Sequence, residues 1–232
     1  MKKIMFNDRF GLTKAVLDGT KTMTRRVIPE LLNVEDPDIS EWGLTDGGKA
    51  MITLYEGGRP TTDIFPMYQP GEVVAVAQSY KALGYTKKWV EQHISPNPHA
   101  KPTDPFDKKY PGWNNKMFTH SEIEKVHQIK ITNIKVERMH DISVKDCYEE
   151  GIVYAKWRQW PKPDSDEYID HDVYTLGIYK KGILDPWAPD DPDAWIAKDP
   201  QTAFHVLIRK MMGVKKWEIN PYVFAYTFKL VK

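Results

Sequence analysis

Tyr222, Phe224, Tyr226, Phe228 and Leu230 occupy every second position of one short segment. A period of two places all five on one face of a β-strand, and no helix can gather them. A second strand signal is the apolar run Val73-Val74-Ala75-Val76-Ala77, which follows a Pro70-Gly71 turn. A third is the spacing of Ile129, Ile131, Ile134 and Val136. These segments are far apart, no helix alternates regularly with them, and no glycine-rich phosphate loop accompanies them. A doubly wound parallel sheet is therefore a poor fit. The expectation is an α+β fold, mainly β: a mixed, barrel-like sheet with helices packed on it.

The helices carry clear end signals. Over residues 10–17, Leu12, Ala15 and Val16 make one stripe, and Gly19 stands as the stop. Residues 21–28 then read as extended, with Thr22, Thr24 and Val27 as β-formers. At 143–150, Ser143 is the N-cap, Asp146 completes a capping box and Gly151 ends the helix. At 200–212, Asp199 is the N-cap, Pro200 the first helical residue and Gly213 the stop. Three stretches, about 29–65, 81–118 and 154–200, read as irregular insertions, with a short strand at 51–55. The expected organisation is one domain over 1–232.

Charge excludes a global pull toward nucleic acid: 33 Lys and Arg face 32 Asp and Glu, for a net +1. The single cysteine, Cys147, rules out an intramolecular disulfide and a cysteine-based zinc cluster. It reads as a small buried hydrophobe. The seven histidines show no metal-ligand spacing, and the acidic stretch at 185–199 lacks the pattern of a calcium loop. No metal or cofactor is expected. No apolar run approaches the roughly 18 residues of a membrane span. The run Met1–Phe6 ends at Asn7-Asp8-Arg9, short of the about 7–15 apolar residues of a secretion signal. The expected location is the cytoplasm.

Chemistry concentrates in Gly19-Thr20-Lys21-Thr22-Met23-Thr24-Arg25-Arg26, where an amine, two guanidiniums and three hydroxyls follow a helix stop. The group can hold an anion or a polarised carbonyl. It equally suits a solvated basic strand edge. A second candidate is Glu149-Glu150-Gly151. A carboxylate in the last turn faces the negative end of the helix dipole, a placement that suits a proton carrier or a fully solvated side chain.

Gly19-x-Lys21-x-x-Thr24-x-Arg26 resembles the Gly-x-Lys-x-x-Glu-x-Arg signature of the ASCH domain, a relative of the PUA RNA-binding fold. Segments at 69–73, 136–143, 149–152 and 217–224 resemble larger, phage-associated members of that family. The resemblance implies a PUA-like β-barrel with peripheral helices and a central cleft, with barrel strands near 21–28, 72–78, 126–136 and 222–231. Position 24 is Thr where the family has Glu. This makes Lys21, Thr24 and Glu150 similar to the catalytic set of the small ASCH amidohydrolases that act on acetylcytidine, with Thr24 as nucleophile, Lys21 as its activator and Glu150 as proton carrier. Glu149 competes for the last role. Gly19, Thr22, Arg25, Arg26, Trp217 and Tyr222 are the candidate substrate-binding residues, the two aromatics as stacking faces for a base.

Lysine acts as a base only when burial or a neighbouring cation lowers its pKa, and Arg25 and Arg26 are near in sequence. Residues 21 and 24 would face opposite ways on a regular strand, so a turn or bulge must lie between them. Two functions follow. One is hydrolysis of an acetylated nucleoside or related small amide. The other is a non-catalytic module that binds RNA or a nucleotide in the same cleft.

Overall fold

The computed structural model describes residues 1–32, 34, 37–40, 43–45, 47–94, 113–117, 119–159, 169–176, 183–184 and 197–231. The strands are β1 (Lys3–Ile4), β2 (Met23–Val27), β3 (Asp38–Ile39), β4 (Gly43–Leu44), β5 (Ala50–Glu56) and β6 (Arg59–Ile64). They continue with β7 (Val73–Val76), β8 (Gln128–Arg138), β9 (Ile152–Gln159), β10 (Ile169–Leu176), β11 (Ile183–Leu184) and β12 (Tyr222–Leu230). The helices are α1 (Leu12–Leu17), α2 (Lys87–His93), α3 (Val144–Glu149), α4 (Pro200–Met212) and α5 (Val214–Glu218).

The fold is mixed α+β. Its main sheet has the order β1-β7-β8-β12-β2, with β1 parallel to β7 and the other neighbours antiparallel. Among the described residues these pairs form an open path, with β1 and β2 at its ends. Ile4, Val74, Val76, Ile129, Ile131, Ile134, Val223 and Tyr226 belong to the core built on this sheet. β12 departs from the one-faced strand expected of its alternation. Val223 and Ala225 are buried as completely as Phe224 and Tyr226. The strand lies between β8 and β2, so its small residues face a covered side too.

Helix ends follow their sequence signals. Ser143 accepts a hydrogen bond from Asp146 N, and Asp199 from Thr202 N at 2.8 Å. The first helix is shorter than expected. Gly11 takes a left-handed φ of 62°, dividing a 3₁₀ turn at Asp8–Phe10 from α1. α4 buries Ala203, Phe204 and Leu207 along one face and packs on α3, β9 and β10.

Two stretches read as irregular hold sheets instead. Within 29–65, β5 pairs with β3, β4 and β6, and Gly57-Gly58 turn the β5–β6 hairpin with φ of 57° and 75°. β6 is exposed at every residue but Ile64, which erases the alternation that would have marked it. Within 154–200, β9 and β10 pair antiparallel over eight positions and β11 joins β9. The stretch at 81–118 contains α2, and its residues 95–112 lie outside the described ones. So does most of the acidic run at 185–199, through residue 196.

Candidate functional site

The segment between α1 and β2 sets the site. Gly19 has a φ of 73°, and the amides of Thr20 and Lys21 both donate to Ala15 O, at 2.9 and 3.0 Å. This left-handed helix end turns the chain directly toward β2. Thr22 N then donates to Glu149 O at 2.7 Å, fastening the end of α3 beside the start of β2. Gly151 completes the junction. A Cβ there would lie 3.4 Å from the Lys21 Cβ, and its own φ is 98°. Lys21 precedes Met23, the first residue of β2, so strand alternation does not govern it. That removes the opposition expected between positions 21 and 24.

Around this junction lies a buried ionic network. Lys21 is 2% exposed, and its Nζ donates to the Glu150 carboxylate and, at 3.0 Å, to the Glu150 main-chain oxygen. The other Glu150 oxygen accepts from Arg25 Nη1 at 3.0 Å. The Arg25 guanidinium also meets Glu137 Oε1 at 2.8 Å through Nε and 2.5 Å through Nη2, and Asp146 Oδ2 at 2.9 Å. Lys135 closes the chain, pairing with Asp146 and, at 2.8 Å, with Glu137. Three cations thus face three carboxylates. Every member has opposite charge within reach, which is what buried ions require.

Sheet register explains how these groups meet. Ala225 of β12 is opposite Arg25 on β2 and opposite Lys135 on β8. Its methyl side chain leaves Arg25 room to cross β12 and reach Glu137. Asp146 comes from α3, and the Phe204 ring of α4 lies 5.4 Å from the guanidinium carbon. Asp146 was expected only as a capping-box partner. Its carboxylate instead points to Arg25 and Lys135, while its N–H alone serves the cap.

Protonation follows from burial. Desolvation pushes the Lys21 amine below its ordinary 10.5. The Glu150 carboxylate opposes that shift, and Arg26 and Arg25 reinforce it. Burial alone would raise Asp146, but Lys135 and Arg25 hold it below the usual carboxylate range. The Cys147 thiol is pushed up to about 12, chiefly by burial, which leaves it inert as a nucleophile.

Beside β2 is a cavity of about 480 Å³ lined by Lys21, Thr24, Arg25, Arg26 and Glu150, with Phe6, Leu12 and Leu207 as apolar wall. β2 stands at the end of the sheet order, so side chains from both its faces reach this space. Thr24 is 5% exposed, and its hydroxyl has no hydrogen-bond partner among the described residues. Arg26 donates to Met5 O and lies 5.8 Å from the Phe6 ring. The adjacent glutamates part completely. Glu150 is 3% exposed and lines the cavity, whereas Glu149 pairs with Lys145 at 3.6 Å outside it.

Four other candidates do not line the cavity. Gly19 and Thr22 act through the backbone, as described. The Trp217 ring lies tilted against His140, with centroids 3.8 Å apart, and Tyr222 lies under the Arg138 guanidinium at 4.0 Å. Conversely, Lys135, Glu137 and Asp146 escaped the sequence reading as site residues. Their one signal was the Lys135–Glu137 spacing, which puts two opposite charges on one strand face.

Among the described residues no group of three His, Cys, Asp or Glu side chains could hold a metal, and no helix is long and apolar enough to cross a membrane. Chemically, the cavity offers an uncommitted hydroxyl, a desolvated amine and a buried carboxylate along one wall. Comparison with protein-family models, curated proteins and solved structures gives no match for this chain.

Proposed function

We propose that this chain is an ASCH-like amidohydrolase of PUA-like barrel plan, acting on an acetylated cytidine or a related small amide. One observation carries the reading: Lys21, Thr24 and Glu150, drawn from two segments 129 residues apart, line a single cavity. The barrel reading rests on the main sheet, whose two end strands approach each other where Arg26 of β2 donates to Met5 O just beyond β1.

In this mechanism Lys21 first passes a proton to Glu150 along their hydrogen bond, and the Thr24 hydroxyl oxygen then attacks the amide carbonyl carbon while the Lys21 amine takes its proton. The hydrogen bond from Lys21 to Glu150 gives that proton a route to the leaving nitrogen, and the C–N bond breaks. The product amine departs and leaves an acyl ester on Thr24. A water deprotonated by the same pair attacks the ester, releases acetate and restores the hydroxyl. Burial weakens the hold of the amine on its proton, which eases the transfer to Glu150, and the Arg25 contact keeps Glu150 fixed through both steps.

The test is acetate release from acetylated cytidine. A positioned base contributes about 10²–10⁴-fold, so Thr24→Ala and Lys21→Ala each remove most turnover. Glu150→Gln lowers it, and Glu149→Gln leaves it intact. Absence of acetate from wild-type protein, or full activity in Thr24→Ala, overturns the mechanism.

A second reading has its own observation. The cavity wall carries Arg9, Lys21, Arg25, Arg26 and Lys116 against Asp8 and Glu150, a cationic excess that suits an RNA or nucleotide ligand without turnover. Binding of short RNA that weakens steeply with salt favours this module. Salt-insensitive binding of a free nucleoside favours the enzyme.

A further inference from the structure

A second cavity, of about 720 Å³, lies across α1 from the first. Leu12 of that helix faces the first space, and Thr13, Lys14 and Leu17 line the second. Asp8 and Lys116 border both and pair at 2.9 Å, and Lys116 also donates to Phe6 O. The helix and this ion pair divide the two spaces, so no single small ligand fills both.

The second cavity is lined by neutral side chains that have spent acceptors and kept donors. Gln78 is 6% exposed, and its Oε1 accepts from His127 Nδ1 at 2.7 Å. Asn115 Oδ1 accepts from Met117 N at 3.0 Å. Ser79 Oγ accepts from Ala82 N at 3.1 Å. What remains is Gln78 Nε2, Asn115 Nδ2 and the Ser79 O–H, none with an acceptor among the described residues. A buried donor left unbonded is costly, so Gln78 in particular calls for a ligand acceptor.

The ionic side chains narrow the class. Lys14 pairs with Asp18 at 2.5 Å and Lys116 with Asp8, two cations with two anions. That balance leaves no cationic excess for a doubly charged phosphate. Asp8 also accepts from Thr13 Oγ, whereas each ammonium has three N–H groups to give. The wall as a whole therefore offers many donors and few acceptors. A metal cation or a polyol needs acceptors from the protein and does not fit. A singly charged group with several lone pairs does. Leu17, Ala77 and Ala82 add an apolar side.

We infer that the second cavity binds a small monocarboxylate with a short aliphatic body, its oxygens on Gln78 Nε2, Asn115 Nδ2 and the Ser79 hydroxyl. The site stands apart from the hydrolase reading, because none of these three residues lines the first cavity.

The experiment is an NMR titration of isotopically labelled protein with hexanoate, hexanamide and inorganic phosphate. It reads the side-chain amide resonances of Gln78 and Asn115, so that binding in the cationic first cavity is not counted. Hexanoate moves both resonances and binds about tenfold more tightly than hexanamide, the scale that separates hydrogen bonds to a charged group from those to a neutral one. Phosphate binds more weakly than hexanoate. Asn115→Asp keeps the acceptor for Met117 N and replaces the donor by an anion, so hexanoate affinity, read on Gln78, falls at least about tenfold. Gln78→Glu does the same, read on Asn115. Asn115 is exposed, so its variant folds even where Gln78→Glu does not, and thermal melting confirms each fold. Resonances unmoved by hexanoate, equal affinity for hexanoate and hexanamide, phosphate binding as tight as hexanoate, or undiminished hexanoate binding in Asn115→Asp overturns the site. Acetate release from acetylated cytidine is read separately and bears only on the hydrolase, so either reading fails without the other.

Discussion

Two regions of this molecule are equally dry and differ in how they got that way. The centre of the main sheet is apolar, with Ile129, Ile131, Ile134 and Val223 at or near zero exposure. The junction of β2 and α3 is nearly as buried, yet it encloses Lys21, Arg25, Asp146 and Glu150. An apolar side chain is content in any apolar surroundings, so its burial asks for little more than volume. An ion asks for named partners at hydrogen-bond distance. The network supplies them from four elements or their ends: the segment entering β2, β2 itself, β8 and α3. The sheet core therefore tolerates change gradually, and the ionic junction does not.

The sharpest way to break this contrast is Arg25→Met. It leaves Glu137, Asp146 and Glu150 close together with two lysines, and breaking a buried pair costs about 3–5 kcal/mol. Urea unfolding should register that loss. Adding Glu137→Gln and Asp146→Asn to Arg25→Met should recover part of it, because the penalty comes from uncompensated charge. A triple variant no more stable than Arg25→Met would show that packing against Phe204 is what matters.

A core deletion is the matched control. Leu207→Ala, in the apolar face of α4, should cost about 2–5 kcal/mol through lost transfer energy and a cavity. Its cost should be independent of pH, whereas that of Arg25→Met should shrink in acid, because Asp146, held below the usual carboxylate range by Lys135 and Arg25, is freer to take a proton once Arg25 is gone. Parallel melts at pH 4 and pH 7 separate the two.

A smaller effect comes from the ring cluster His140–His205–Trp217. The His205 and Trp217 centroids are 4.8 Å apart, and His205 Nε2 is buried without a hydrogen-bond partner among the described residues. Burial lowers the His205 pKa below 6.5 and the His140 ring charge reinforces this, while a hydrogen bond with the His140 backbone and the Asp199 charge act in the opposite sense. A folded-state pKa below the unfolded one gives stability that is present above about 6.5 and lost as pH falls through the folded value. Stability should therefore decline below pH 6.5, and His205→Leu should flatten that part of the profile. An unchanged slope in the variant would sink the assignment.

The smallest effect is the most discriminating. Glu149→Gln changes a surface partner of Lys145 and should stay within about 0.5 kcal/mol of wild type. Glu150→Gln, one residue on, removes a charge from the buried network and should cost several times more. Equal costs for the two would mean that the separation of these neighbours is not real in solution.

The residues of the sequence fully determined the local signals. Asp199, Pro200 and Gly213 bound α4, Ser143 caps α3, and the apolar run after Pro70-Gly71 is β7. Each depends on neighbours within a few positions, where backbone geometry and side-chain type act directly. The cluster Lys21, Thr24, Arg25 and Arg26 was also legible as chemistry, because so many polar groups in eight residues demand an account. Hairpin β5–β6 was not legible, since its exposed face carries no apolar alternation. Only the tertiary structure decided which of Glu149 and Glu150 turns inward, that Lys21 escapes strand alternation, and that Arg25 would be met by Glu137 and Asp146. Those outcomes depend on Ala225 leaving space between β2 and β8, and on Thr22 binding the end of α3. These contacts join residues far apart in the sequence, Thr22 with Glu149 and Ala225 with Arg25 and Lys135, and no local pattern encodes the distance between them.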